Sequence, residues 1–174
     1  MRLMRRKIDD FLKEWKENED RLPLIVKGAR QIGKTASIMQ FANDNYKNVV
    51  AINFVLQQKF KSIFDDGYDV DSVVRNITLI DPSIDLEPGN TIFFFDEMQD
   101  CPVCATSLKA FKIDGRYDVV CSGSLMGINY QEIESNSVGY KEDYTMHSMD
   151  FEEFLWAKGY DSAFVERLFE KMVS

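Results

Sequence analysis

"LIVKGARQIGKTAS", residues 24–37, runs from β-branched apolar residues into a glycine-containing loop and ends on Lys-Thr at the head of a helical pattern. The spacing is Gly28, four residues, Gly33, Lys34 and Thr35. Each position has a physical task. Two glycines let the backbone turn where a Cβ would clash, so successive N–H groups converge on an anion. Lys34 is positioned to reach the β- and γ-phosphates of a nucleotide, and the Thr35 hydroxyl to ligate Mg²⁺. The candidate cradle is therefore Gly28, Ala29, Arg30, Gln31, Ile32, Gly33, Lys34, Thr35 and Ala36. The competing reading is an ordinary strand-to-helix turn that happens to carry two glycines.

Context separates the two. "PLIVKG" reads as a short buried strand, and Ile38, Met39, Phe41 and Ala42 fall at helical spacing after it. A loop between a strand and a helix N-terminus meets an anion with both amide hydrogens and the helix dipole. Further along, "NVVAINF" reads as a second strand, and residues 57–80 as helix in two pieces broken near "DDGYDV". The second piece carries a core stripe of Val70, Val73, Val74 and Ile77. "TIFFFD" is a third strand, "PVCATSLKAFK" a helix, "YDVVCSGS" a fourth strand and "EDYTMHSMDF" a last one. Strands apolar throughout, alternating with helices, belong in a parallel sheet covered on both faces. An opening amphipathic helix over residues 4–18 presents Ile8, Phe11, Leu12 and Trp15 toward that sheet. Its basic start, "RLMRRK", reads as a solvated face. Asp150 and Glu153 predict a capping box before a helix, and Phe164, Leu168 and Met172 predict the buried stripe of another.

A cradle only binds. Hydrolysis also needs a carboxylate for the metal and a group to orient water, and "FFFDE" offers both at the end of an apolar strand. Asp96 is expected to hold Mg²⁺ together with Thr35. Glu97 is expected to point elsewhere and act as general base. Paired acids at a strand end are also common solvated turn residues; their place some 60 residues after the loop favours function. The exit of "VVCSGS" brings Ser122 and Ser124 within reach of a γ-phosphate or its attacking water, although serines at such exits are ordinary turn formers. Expected catalytic residues are thus Lys34, Glu97 and Ser122.

The 174 residues, 45% hydrophobic, suit one globular domain. Charge is uneven: residues 1–36 carry +4 within a total of -8. An acidic body excludes a protein that coats nucleic acid by charge alone and leaves a local basic patch open. There is no run of 18 apolar residues and no signal-peptide core, so no membrane segment and a cytoplasmic location are expected. Cys101 and Cys104 form a CxxC, but with only Cys121 and His147 as further soft ligands the pair reads as buried thiols beside a proline turn.

"GARQIGKT", "FFFDEMQ", "SLKAF", "VVCSGSLMG" and "MHSMDFEEFLWAKG", in this order, resemble the ATPase domain of a prokaryotic AAA-type family whose longer members continue into a C-terminal domain. The resemblance implies an α/β fold, a three-layer αβα P-loop sandwich with a mainly parallel five-stranded sheet in the order 5-1-4-3-2. It also implies ATP with Mg²⁺ as ligand, Arg30 and Gln31 as part of the signature, and Ser122 at the sensor position. Residues 1–147 then form the ATPase core, with residues 1–20 packed on it, and 148–174 lead toward a lid or C-terminal domain; the chain's end inside an amphipathic helix is read as that of a fragment or truncated product. One further departure concerns chemistry. The family's Gly-Arg pair before the last strand is Gly139-Tyr140 here, with Lys141 as the available substitute. Three functions remain in play: an ATPase that couples hydrolysis to conformational change, a nucleotide-dependent switch with little hydrolysis, and, last, a P-loop kinase. A protein partner, a C-terminal domain and a homo-oligomer are all compatible with the first two.

Overall fold

The computed structural model describes residues 4–124 and 130–174. Five strands, β1 (Leu24–Lys27), β2 (Asn48–Asn53), β3 (Thr91–Asp96), β4 (Asp118–Gly123) and β5 (Glu142–Thr145), form one sheet in the order β2-β3-β4-β1-β5. Every pairing is parallel. This is the expected order read from the opposite edge. Among the described residues seven α-helices cover or flank the sheet: α1 (Lys7–Glu17), α2 (Lys34–Asn45), α3 (Val70–Ile80), α4 (Cys104–Asp114), α5 (Tyr130–Ser137), α6 (Phe151–Ala157) and α7 (Ser162–Val173).

The apolar strands serve both faces, because successive side chains alternate. Ile92 and Phe94 of β3 join Leu24, Val26 and Val120 against Ile8, Leu12 and Trp15 of α1 and Ile38, Phe41 and Ala42 of α2. Phe93 and Phe95 face the other way, into Val73 and Ile77 of α3 and Leu108 and Phe111 of α4. A strand buried on one face only would read as alternating; six consecutive buried residues in β3 require two helical layers. Phe11, the outermost member of the α1 stripe, stacks on Tyr144 of β5 at 4.5 Å.

Several expectations give way. The first piece of the 57–80 region is a 3₁₀ segment, Gln58–Phe64. The Asn53 side chain accepts from the Val55 and Leu56 N–H groups at 2.9 and 3.0 Å, so the chain leaves β2 in a tight turn. Phe60 and Ile63, three residues apart, then reach the core with the tighter helix's period. Helix α5 carries little apolar signal, since "YQEIESNS" buries only Ile133 and Ser137 among the residues whose side chains are described. The expected α7 stripe is covered only at Leu168, which is half-buried: Phe164 and Met172 are exposed, and Val165 is the buried residue. The capping box of α6 is present, with Asp150 accepting from the Glu153 N–H at 2.9 Å and Glu153 from the Asp150 N–H at 3.1 Å.

At the β5 edge four charges interlock. Lys27 donates to Asp143 at 2.9 Å and to Glu134, and Lys141 donates to both Glu134 oxygens at 3.0 Å and to Asp143. Burial alone would push the Glu134 carboxyl upward, but hydrogen bonds from the two lysines outweigh it and hold its pKa at about 2. A depressed carboxylate pKa contributes stability above the ordinary value near 4.5, lost as pH falls from there through about 2. Glu134→Gln is therefore expected to cost about 1 kcal/mol at pH 6, allowing for solvent screening, and almost nothing at pH 2. Paired urea titrations at the two pH values measure it; a cost independent of pH overturns this account.

Candidate functional site

β1 ends at Lys27, and the loop that follows is pinned on both sides. Gly28 N–H donates to the Gly123 carbonyl of β4 at 3.3 Å, and the Met146 N–H to the Lys27 carbonyl at 2.7 Å. A Cβ on Gly28 would stand 2.4 Å from the Met146 carbonyl oxygen and 2.7 Å from Ile32 Cδ1. Gly28→Ala must therefore separate β1 from the chain leaving β5, at an expected cost of about 2 kcal/mol; a denaturation midpoint equal to that of the unsubstituted chain would contradict it. Gln31 and Gly33 both adopt left-handed backbone, φ 61° and 99°. These turns deliver the chain to α2, whose first turn holds no acidic residue and whose N-cap, Gly33, supplies no side-chain acceptor. The helix dipole therefore faces the loop with a positive pole.

Ala29, Arg30, Gln31, Thr35 and Ala36 are exposed, Ile32 and Gly33 half-buried, and Lys34 buried. The Lys34 ammonium folds back on its own loop, donating to the Gly28 carbonyl at 2.8 Å and to that of Ala29. Burial lowers its pKa; the charges of Glu97 and Asp96 oppose the shift, and that of Arg30 adds to it. Lysine, both acids and Arg30 thus share one electrostatic neighbourhood.

Asp96, at the C-terminal end of β3, is buried and accepts three hydrogen bonds: from Thr35 Oγ1 at 2.8 Å, from the Glu97 N–H at 2.9 Å and from Ser122 Oγ. Parallel register brings β3 and β4 side by side, with Phe95 opposite Cys121, which sets Asp96 and Ser122 adjacent. Ser122 is fully buried with its hydroxyl on the carboxylate; it orients Asp96 from behind. Ser124, also considered for a sensor role, donates its backbone N–H to Gln99 Oε1 at 3.3 Å.

Glu97 stands in left-handed backbone, φ 55° and ψ 47°, ahead of a 3₁₀ turn over Met98–Asp100. For a residue with a Cβ this costs roughly 1–2 kcal/mol. Beyond this turn Gln99 Nε2 donates to the Glu97 carboxylate. Gly123 admits the turn: a Cβ there would meet Gln99 Oε1 at 3.0 Å and Met98 Cγ at 3.1 Å.

The donor set fits the expected metal. Thr35 Oγ1 and one carboxylate are hard oxygen ligands, few in number, as suits Mg²⁺ that keeps water and phosphate oxygens for the rest of its shell. All three cysteines are free and buried. Burial pushes the Cys101 thiol up to about 12, and a hydrogen bond to Cys121, with burial, raises that of Cys104. Among the described residues no three His, Cys, Asp or Glu side chains gather as a metal site.

Lys141, the expected substitute for the arginine, lies just before β5, at the end of the sheet where Glu142 pairs with Leu24, and its ammonium donates to Glu134 and Asp143. The basic start of α1 is not uniformly solvated. Arg6 is 8% exposed and reaches the 28–36 loop: Nη1 donates to the Ile32 carbonyl at 2.7 Å, Nη2 to that of His147 at 3.0 Å and Nε to Glu153 at 2.7 Å. No local pattern announced it; a charged residue at an N-cap looks the same whether or not distant chain covers it.

A glycine loop between β1 and α2, facing an acid at the end of β3, two strands away in the sheet, defines a P-loop nucleotide-binding domain. The model of an AAA domain matches residues 20–155, and this chain belongs to that family of ATPase domains. Among solved structures, PCH-2 of C. elegans is similar with 14% identity and a TM-score of 0.48, over 82% of this chain and 42% of that one. The RuvB Holliday junction branch migration motor of Thermotoga maritima is similar with 13% identity and a TM-score of 0.47, over 79% and 43%. The chain thus spans less than half the length of either. No curated protein matches it. Among the described residues no helix is long and apolar enough to cross a membrane.

Proposed function

We infer that this domain binds Mg-ATP at the 28–36 loop and hydrolyses it, passing the resulting change of shape to a partner or to further chain. The observation that carries this reading is the convergence of Lys34, Thr35, Asp96 and Glu97 from three different elements onto one end of the sheet. Lys34 would exchange its loop carbonyls for phosphate oxygens, which accept a charged donor more strongly than carbonyls do. Thr35 and Asp96 would hold Mg²⁺, and the ion when bound would neutralise charge on the phosphates. Ser122 and the Glu97 N–H keep the Asp96 carboxylate oriented for that task. Glu97, on its separate turn, would take the proton of the water that attacks the γ-phosphorus, while the bond from that phosphorus to the ADP oxygen breaks.

A second reading, a nucleotide-dependent switch with little turnover, is supported by the commitment of Lys141 to Glu134 and Asp143, and by Tyr140 where the family resemblance leads one to expect arginine. An arginine on the transition-state charge is worth about 10³–10⁵ in rate. Calorimetric titration with Mg-ATP followed by phosphate release separates the readings. Binding with release supports hydrolysis, binding without release supports the switch, and no binding removes both. Transfer of phosphate to a small acceptor in place of water would instead support the kinase.

A further inference from the structure

Arg6 belongs to none of the nucleotide-site motifs, yet its guanidinium ties the phosphate-cradle loop to distant parts of the fold. Three donors are spent on three separate segments: the loop at Ile32, the exit of β5 at His147 and the start of α6 at Glu153. Glu153 is locked in turn, with Oε2 also accepting from the Lys7 N–H at 2.9 Å and Oε1 from that of Asp150 at 3.1 Å. The Arg6 N–H itself donates to Asp9 at 2.8 Å, fixing the residue at the head of α1. An arginine with side-chain exposure of 10%, paired with a carboxylate at 6%, carries a large desolvation cost. Rigidly directed bonds are what such a pair supplies in return.

Consider the peptide group that Arg6 grips. The Ile32 carbonyl and the Gly33 N–H share one trans plane and point in opposite directions. Holding the carbonyl outward at 2.7 Å turns the Gly33 N–H away from Arg6, and a cationic donor on the oxygen polarises the amide and strengthens its hydrogen as a donor. Gly33 is free to rotate otherwise: it has no Cβ, and its φ of 99° is one that glycine alone adopts readily. Space is tight as well, since a Cβ on Gly33 would lie 3.0 Å from Arg6 Nη1.

We propose that Arg6 is a positioning residue for the phosphate cradle: braced by Glu153, it sets the 32–33 peptide plane so that the Gly33 N–H is presented to a bound phosphate before the nucleotide arrives. The proposal rests on the nucleotide reading above for its purpose, but the brace itself is open to a measurement without ligand. In Arg6→Gln, amide hydrogen exchange of a peptide spanning 28–36 is expected to accelerate about tenfold without nucleotide, while peptides of β3 and β4 keep their rates. Mg-ATP affinity is expected to fall about tenfold in parallel. Arg6→Lys is expected not to restore it, because an ammonium cannot direct three bonds along a planar fork. Glu153→Gln is expected to reproduce both effects at smaller amplitude, and it carries the test if Arg6→Gln proves unfolded. Loop exchange and ATP affinity both unchanged in a folded variant would overturn the proposal, as would recovery by lysine. If the unsubstituted chain binds no nucleotide, the nucleotide reading and the purpose of the brace both fail; unchanged exchange with intact ATP binding sinks the brace alone.

Discussion

Lys34→Ala is expected to weaken Mg-ATP binding by about 100-fold or more while the domain still folds and unfolds cooperatively. The size follows from the environment. A buried ammonium whose pKa burial lowers gains more from a dianionic phosphate than an exposed one would, because little water competes for it. In its absence the loop loses a donor shared by the Gly28 and Ala29 carbonyls, so both the charge and the closed shape of the cradle suffer. Lys34→Met keeps most of the buried stem and isolates the charge. Calorimetry measures the affinity and a circular dichroism melt checks the fold. ATP affinity within threefold of the unsubstituted chain in both variants would show that the phosphates bind elsewhere, and the proposed function would fall with it.

Glu97→Gln is expected to leave ATP affinity within about threefold and to lower turnover by about 10²–10⁴. The amide is isosteric and retains an oxygen for Gln99, so geometry is preserved while the proton acceptor is removed. A structural role for Glu97 predicts the reverse, a change in stability with turnover intact. The backbone supplies an independent check. Since φ at Glu97 is 55°, Glu97→Gly should relieve strain and, after the greater entropy of glycine in the unfolded chain, stabilise the domain by roughly 0.5–1 kcal/mol while abolishing turnover. A more stable, inactive variant is the signature of backbone strain held in place for function. Phosphate release by Glu97→Gln at the unsubstituted rate would remove Glu97 from the mechanism.

Much of the site was legible because it is local. The loop spacing from Gly28 to Thr35, the apolar run before it and the acids closing "FFFDE" each occupy a handful of consecutive residues. Apolar continuity along β1, β3 and β4 also implied a parallel sheet with two helical layers, since only that arrangement covers both faces of such strands. Less was readable where the deciding partner is far along the chain. Arg6 finds its partners 26, 141 and 147 residues away. The orientation of Ser122 depends on parallel register between β3 and β4. Helix α5 gives no sequence signal because one buried isoleucine makes no period, and the burial of α7 departs from its apolar spacing because Phe164 and Met172 stand outward while Val165 is the fully covered residue.

Short-range stereochemistry and hydrophobic periodicity were enough to specify a glycine-containing loop at a helix N-terminus, an acid at the end of an apolar strand and the layered α/β frame around them, because those properties act between neighbours in the chain. Long-range packing was needed to turn Ser122 onto Asp96 and to bury Arg6 against the 28–36 loop. Each of these depends on which distant group excludes water from a charge or supplies its hydrogen bond, and no stretch of sequence carries that information until the chain has closed upon itself.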